Sequence, residues 1–230
     1  MVNNHSFAHS DELLSALCTA IITDLEEAIS EKGSAVLLVS GGSTPKPLFK
    51  RLRETPIAWE NVRIGLCDER WVNPEHSDSN EKLVRELLLQ EHAVNAQFIG
   101  LYCNGMSVDE AQNECSEKVK SQLWPIDVCV LGMGDDAHTA SLFPHNHKLL
   151  EGLEEGNKNL CISITPQTAP HLRMSLTFSA IISTHHLYLH FEGEKKRLVF
   201  EEALRGSDVE AMPIRAFLQQ EIKDIEVYYA

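Results

Sequence analysis

The sequence predicts an α/β fold in which helices cover both faces of a mainly parallel sheet. Short apolar runs alternate along the chain with segments in which apolar residues recur at helical spacing. This alternation is typical of parallel strands that are connected by helices. The glycine-bearing and charged loops follow the carboxyl ends of the predicted strands, where open α/β sheets bind their ligands.

The first helix is predicted over residues 11–30, because apolar residues recur there at the spacing of one helix face. Ser10 is the expected amino-terminal cap, since its hydroxyl would accept a hydrogen bond from a free backbone N–H group. We expect Gly33 to end the helix. The apolar run 35–39 that follows predicts a buried strand.

The next loop reads Ser-Gly-Gly-Ser-Thr-Pro from Ser40 to Pro45 and leads into a short helix that reaches Leu52. We expect Thr44 to cap this helix and Pro45 to occupy its first position. Free N–H groups at a helix start favour an anion such as phosphate. A tight turn with a capping hydroxyl explains the same residues equally well. No Gly-Lys-Ser/Thr sequence follows, so the segment is not a nucleotide-binding P-loop.

The remaining elements continue the alternation. A capping box of Ser107 and Glu110 marks the start of one of the later helices. The later strands are predicted at residues 62–67, 97–101, 127–131, 160–164, 174–178, 187–191 and 225–229. The later helices are predicted at residues 79–90, 107–123 and 194–204.

Composition narrows the class of protein. The chain has 230 residues, without repeats or a linker, and we expect one domain over residues 1–230. Its net charge of −14 disfavours nucleic acid as a partner, because phosphate backbones require a basic surface. The six cysteines show no CxxC pair, residues 1–12 do not resemble a signal peptide, and no apolar run approaches a membrane span. We therefore expect a cytoplasmic protein that is a monomer or a small homo-oligomer.

The segment 132–144 concentrates titratable groups directly after a predicted strand. Asp136 and His138 stand two residues apart on a loop loosened by Gly132 and Gly134, an arrangement that favours general-base catalysis. Gly132, Gly134 and Ala137 also match a dinucleotide-binding fingerprint. We reject that reading because the carboxylates in this loop would repel a pyrophosphate.

Other polar groups have weaker signals. Asp68, Glu69 and Arg70 follow a strand, where Arg70 has either a positioning role or only a surface ion pair. Arg173 and Lys196 are uncommon cations in an acidic chain. Ser141 is expected at a helix start, and no Gly-x-Ser-x-Gly elbow supports a serine hydrolase. The histidine pairs 145/147 and 185/186 are interpreted as solvated loop residues, so no metal is expected.

Taken together, these segments resemble the 6-phosphogluconolactonase family. The matching segments are Ser40–Pro45, Asp68-Glu-Arg-Trp-Val72 with Ser79-Asn80, Leu131–Gly134 with Asp136 and His138–Pro144, Pro170-His-x-Arg173-x-Ser-Leu-Thr177, Gly193-x-x-Lys196 and Met212–Ile214. The resemblance implies a Rossmann-like domain related to glucosamine-6-phosphate deaminase. It also implies hydrolysis of the phosphorylated sugar lactone 6-phospho-glucono-1,5-lactone, without a metal or another cofactor.

The resemblance also implies roles for individual residues. His138 would be the general base, Asp136 its supporting carboxylate, and Arg70 a neighbour of the reacting end of the substrate. Ser43, Arg173 and Lys196 would contact the phosphate and the sugar. The complete set of expected substrate-binding residues is Gly41, Gly42, Ser43, Asp68, Arg173 and Lys196.

Two departures and two rival functions remain. Ala137 stands where the family usually has glycine, and it would strain the loop if its φ were positive. The ending Val-Tyr-Tyr-Ala230 also differs from many members. A sugar-phosphate isomerase or deaminase is disfavoured by Arg70, where a tyrosine is expected, and by Thr-Ala-Ser after His138. A non-catalytic sugar-phosphate sensor is disfavoured because His138 is present.

Overall fold

The computed structural model describes residues 1–167 and 169–230 and contains two sheets. The large sheet has seven strands in the order β1-β10-β9-β6-β2-β3-β5, and each neighbouring pair is parallel. Its strands are β1 (Val2–Ser6), β2 (Ala35–Val39), β3 (Val62–Leu66), β5 (Gln97–Phe98), β6 (Val128–Gly132), β9 (His186–Phe191) and β10 (Ile225–Tyr229). The predicted α/β fold with a mainly parallel sheet is confirmed.

The small sheet is antiparallel and has the order β4-β8-β7. Its strands are β4 (Asp68–Arg70), β7 (Cys161–Ile164) and β8 (Arg173–Leu176). The helices are α1 (Ser10–Lys32), α2 (Lys46–Glu54), α3 (Asn80–Leu87), α4 (Ala111–Gln122), α5 (Leu149–Leu153), α6 (Phe178–Ile182), α7 (Glu194–Arg205) and α8 (Ile214–Leu218). Short 3-10 turns lie at Trp59–Asn61 and Glu91–Asn95.

The first two helices, α1 and α2, differ from the prediction at their amino-terminal caps. Ser10 is the first residue of α1 instead of its cap, and its hydroxyl donates to Glu192. Gly33 ends α1 as predicted, with φ +79° and its N–H bonded to the carbonyl of Ile29 at 2.8 Å. Thr44 does not cap α2, and Pro45 precedes the helix. Both corrections come from side chains that bind tertiary partners instead of the backbone.

Sequence patterning missed two strands that are too polar or too short to stand out. β1 has the sequence Val-Asn-Asn-His-Ser and lies at the edge of the large sheet, where alternate residues face solvent. β4 is only three residues long, and it was expected as a loop. Its pairing with β8 places a second sheet beside the carboxyl ends of the parallel strands.

The burial of the central strand agrees with the parallel order of the large sheet. Every residue of β2 is buried, as is expected for a central strand that is covered by helices on both faces. Ser79 caps α3 by accepting a bond from the Lys82 N–H at 3.2 Å. The predicted capping-box bonds between Ser107 and Glu110 are formed, but they lie in the turn before α4, which begins at Ala111 and not at Ser107. Over the described part of the chain, no helix is long and apolar enough to cross a membrane.

Candidate active site

A cleft of about 290 Å³ lies at the carboxyl ends of β2, β6 and β9 and is bordered by the small sheet. The sequence-predicted catalytic and binding residues meet there, although they come from segments far apart in the chain. Asp136 is outside the lining but contacts His138, which is part of it. The predicted residues that line the cleft are Gly41, Gly42, Ser43, Asp68, Arg70, His138, Arg173 and Lys196.

The imidazole of His138 is held between a carboxylate and an aromatic ring. Its Nδ1 lies 2.5 Å from Oδ1 of Asp136, and its ring centroid is 4.6 Å from that of Phe143. Partial burial opposes the charge on Asp136, but the hydrogen bond and the charge of His138 outweigh it and lower the pKa of Asp136. The ionised carboxylate therefore accepts from Nδ1–H, and in the neutral imidazole the lone pair of Nε2 is left for another proton.

The loop packs closely against His138 on the side of Gly134. A Cβ atom at Gly134 would lie 2.2 Å from both Nδ1 and Cε1 of His138. Ala137 is fully buried and has φ +65°. Its φ is therefore positive, the condition under which the sequence predicted backbone strain. Backbone bonds hold it there: the Ala137 N–H donates to Gly134 at 3.0 Å, and the Ala137 carbonyl accepts from Ile214 at 3.0 Å.

Two arginines stand side by side on one wall of the cleft. Arg70 on β4 and Arg173 on β8 are register partners. Each guanidinium donates to a backbone carbonyl, Arg70 to Asp78 at 2.6 Å and Arg173 to Pro170 at 3.1 Å. The Nε atoms of both are buried and have no partner among the described residues. Burial lowers the pKa of Arg173, although nearby carboxylates oppose the shift.

This pairing bears on the roles that the family resemblance implies. Arg70 was expected at the reacting end of the substrate and Arg173 at the phosphate. The guanidinium of Arg173 also lies 5.8 Å from the ring of Phe143, which contacts His138. Both arginines line the same part of the cleft, so the division of roles between them stays a prediction.

Buried carboxylates support the part of the cleft that carries Arg70 and Arg173, called the arginine wall below. Oδ2 of Asp68 accepts from the hydroxyl of Ser141 at 2.5 Å, so Ser141 is not at a helix start, as the sequence suggested, but is a buried partner of this carboxylate. Glu69 accepts bonds of 2.7 Å from the backbone N–H groups of Arg70, Asn80 and Glu81. Burial raises the pKa of Glu69 to about 7 in spite of these hydrogen bonds.

The loop after β2 forms another part of the cleft lining. A Cβ atom at Gly41 would lie 1.9 Å from Oδ1 of Asn80, so only glycine fits there. Gly42 has φ +91°, which turns the loop before Ser43. Nζ of Lys196, at the start of α7, donates to Oγ1 of Thr44 at 3.2 Å. Thr44 therefore fixes a cation beside the loop instead of capping α2.

Two lining residues were missed as site residues. Asn80 is buried and donates from Nδ2 to the Asp68 carbonyl at 2.9 Å. His190 is 2% exposed, and its Nε2 lies 3.2 Å from Oε1 of Glu192, a hydrogen bond that lowers the pKa of Glu192. The sequence signal for His190 was a histidine near the end of an apolar strand, three residues before the glycine that precedes α7. His145, His147, His185 and His186 are exposed, as predicted, but His186 is the first residue of β9 and does not lie in a loop.

Comparison with known proteins places these features in one family. A family model described as glucosamine-6-phosphate isomerases/6-phosphogluconolactonase matches residues 8–226. A 6-phosphogluconolactonase from Pseudomonas putida is 39% identical over 228 residues, which cover 99% of this chain and 93% of that protein. One from Rhizobium meliloti is 38% identical and covers 99% of this chain and 98% of its own length.

A solved structure agrees with the sequence relatives. The crystal structure of a 6-phosphogluconolactonase from Shewanella baltica OS155 superposes with a TM-score of 0.96 at 42% sequence identity. The match covers 100% of this chain and 97% of that one. The resemblance that the sequence motifs indicated is confirmed over the whole chain.

Proposed function

The chain belongs to the glucosamine-6-phosphate isomerase/6-phosphogluconolactonase family, and we propose that it hydrolyses 6-phospho-D-glucono-1,5-lactone to 6-phospho-D-gluconate. This reaction is a step of the oxidative pentose phosphate pathway. The observation that carries the proposal is the Asp136–His138 pair in a cleft that also presents Arg70, Arg173 and Lys196. A general base beside several cations suits an anionic substrate with a carbonyl that water can attack.

His138 is the proposed general base. Its Nε2 takes a proton from a water molecule as the water oxygen bonds to the lactone carbonyl carbon. Asp136 stabilises the imidazolium that forms and fixes the tautomer, since its carboxylate holds Nδ1–H. When the bond from that carbon to the ring oxygen breaks, the imidazolium returns the proton to the leaving oxygen. Water is thereby added across the ester, which gives a hydroxyl and a carboxylic acid, and the acid releases its proton to solvent to leave the carboxylate.

The cations and the glycine loop have complementary proposed roles. Ser43, Arg173 and Lys196 bind the phosphate and the sugar, and this remote binding energy orients the carbonyl for attack. Arg70, or the backbone N–H groups of Gly41 and Gly42, stabilises the oxyanion of the tetrahedral intermediate. Asp68 binds a substrate hydroxyl from the buried end of the cleft. A lactone is an activated ester, so these groups suffice without a covalent nucleophile.

The test of this function is proton release from freshly generated 6-phosphogluconolactone, corrected for spontaneous ring opening. The wild-type protein should accelerate the reaction. His138→Ala should reduce kcat by roughly 10²–10⁴-fold, the usual contribution of a positioned base, and should retain binding of 6-phosphogluconate. Activity near that of the wild type in this variant would show that another group is the base.

The same preparation separates the rival functions. Release of ammonia from glucosamine 6-phosphate would identify a deaminase instead. Binding of 6-phosphogluconate without turnover of either substrate would identify a sensor. We also propose a cytoplasmic protein, supported by the buried thiols, and a monomer or small homo-oligomer, which light scattering after gel filtration tests.

A further inference from the structure

Three side chains form a cluster beside the arginine wall, outside the residues that line the cleft. His76 and Asp78 lie on the segment that follows β4, and His171 lies just before β8. Nε2 of His171 is 2.8 Å from Oδ2 of Asp78, and Nδ1 of His76 is 4.0 Å from the same oxygen. Over residues 1–167 and 169–230, this is the one group of three histidine, cysteine or carboxylate side chains whose donor atoms lie within 4.8 Å of one another.

Hydrogen bonding alone explains part of this arrangement. The imidazole of His171 pairs with Asp78, and Nδ1 of His76 accepts from the Asp78 N–H at 3.1 Å. The bond from the Asp78 N–H also brings Nδ1 of His76 near the Asp78 carboxylate, and the two imidazole rings stand edge to face with centroids 5.4 Å apart. His171 also holds a left-handed backbone conformation, with φ +66°, that is uncommon for a residue other than glycine.

We propose that His76, Asp78 and His171 bind a divalent transition-metal ion such as Zn²⁺. Zinc bonds of about 2.0–2.1 Å in a tetrahedron place neighbouring ligand atoms roughly 3.4 Å apart, and the two measured separations lie on either side of that value. Two imidazoles and one carboxylate suit zinc or nickel, whereas magnesium and calcium prefer oxygen ligands alone. All three side chains reach solvent, so water completes the coordination.

The ion would link two segments that hold the arginines. The Asp78 carbonyl accepts from Arg70, and the Leu172 carbonyl, next to His171, accepts from the Trp71 N–H at 2.7 Å. A metal bridge would therefore stiffen the border of the cleft without entering it. Moving the His76 imidazole onto the metal breaks its hydrogen bond with the Asp78 N–H, a loss that a metal bond offsets. This site is independent of the proposed hydrolysis.

The experiment is calorimetric titration of chelator-treated, full-length protein with zinc chloride. The wild type should bind one Zn²⁺ ion, and its melting temperature should rise with the zinc concentration. His76→Ala/His171→Ala should lose more than about 100-fold in affinity, because loss of an outer partner alone costs roughly 10–100-fold. Cobalt should give the absorption bands of low-coordinate Co²⁺ in the wild type and not in this variant.

His185→Ala/His186→Ala is the matched control, because it also removes two exposed histidines but leaves the cluster intact. Its zinc affinity should stay within about twofold of the wild type, far less than the loss on removing ligands. Zinc binding by the cluster variant as tight as by the wild type would overturn the proposal. So would a wild-type protein whose melting temperature and heats of titration do not respond to zinc.

Discussion

At the scale of single residues, the conformation of one backbone position governs how the proposed base is presented. Ala137 lies between Asp136 and His138, which share the 2.5 Å contact, and its φ of +65° turns the chain so that the two side chains meet. The family resemblance implies that glycine is usual here. The sequence could raise the question of strain but not answer it, since φ is a property of the folded loop.

We predict that Ala137→Gly is nearly neutral and Ala137→Val is not. Glycine relieves roughly 1–2 kcal/mol of left-handed strain, but it adds about 0.4–1 kcal/mol of unfolded-state entropy and removes a buried methyl worth about 0.8 kcal/mol. Valine is β-branched and would also overfill a fully buried position. Urea unfolding should show a change below about 1 kcal/mol for glycine and a loss above about 3 kcal/mol for valine. Equal stability of the two variants would exclude this account.

A second residue-scale prediction concerns pH. The pKa of Asp136 is lowered in the folded protein, so its charge stabilises the fold above the unfolded value of 3.8, and this contribution is lost as the pH falls through the lowered value. Asp136→Asn should therefore be less stable than the wild type at about pH 5, and the difference should shrink by about pH 3. Denaturant unfolding at both pH values measures it. A difference that persists unchanged at the lower pH would contradict the pairing.

At the scale of elements, the amino-terminal end of α3 shows why part of the site was not predictable. The polar triplet Asp68–Arg70 was expected to be a loop, because three residues give no periodicity. In the structure it is a strand, since β8 pairs with it and since Glu69 is bound to the N–H groups that open α3. The pairing of Arg70 with Arg173 follows from the formation of that strand, and no local sequence pattern predicts this pairing.

We predict that Glu69→Ala unfolds more easily by at least about 3 kcal/mol, because the N–H groups of Asn80 and Glu81 and the Ser79 hydroxyl would lose a buried acceptor. Glu86→Ala is the control on the same helix, where the side chain is exposed and its ion pair is weak. That variant should change the free energy of unfolding by less than about 0.5 kcal/mol. Similar losses for both variants in chemical denaturation would argue against a buried role for Glu69.

At the scale of the whole molecule, the parallel order of the large sheet gathers the site. Strands β2, β6 and β9 are neighbours, so the loops that leave their carboxyl ends open on one edge. The sequence predicts this convergence because parallel strands point in one direction. It does not predict the antiparallel sheet that borders the cleft, or the edge strand β1, because those depend on pairings between distant polar segments.

Substitution of Lys196, near the start of α7, tests whether the residues gathered in the cleft bind the substrate. Lys196 lines the cleft and donates to Thr44, whereas its neighbour Lys195 is mostly exposed and pairs with Asp135 at 2.6 Å. We predict that Lys196→Ala raises KM for 6-phosphogluconolactone more than about tenfold, or 1.4 kcal/mol, with a smaller effect on kcat, because remote phosphate binding is lost. Lys195→Ala removes the same charge one residue away and should change KM less than about twofold, since exposed ion pairs contribute little. Steady-state proton release measures both. Equal KM values for the two variants would show that α7 supplies only general positive charge, and that the phosphate is bound by the arginine wall instead.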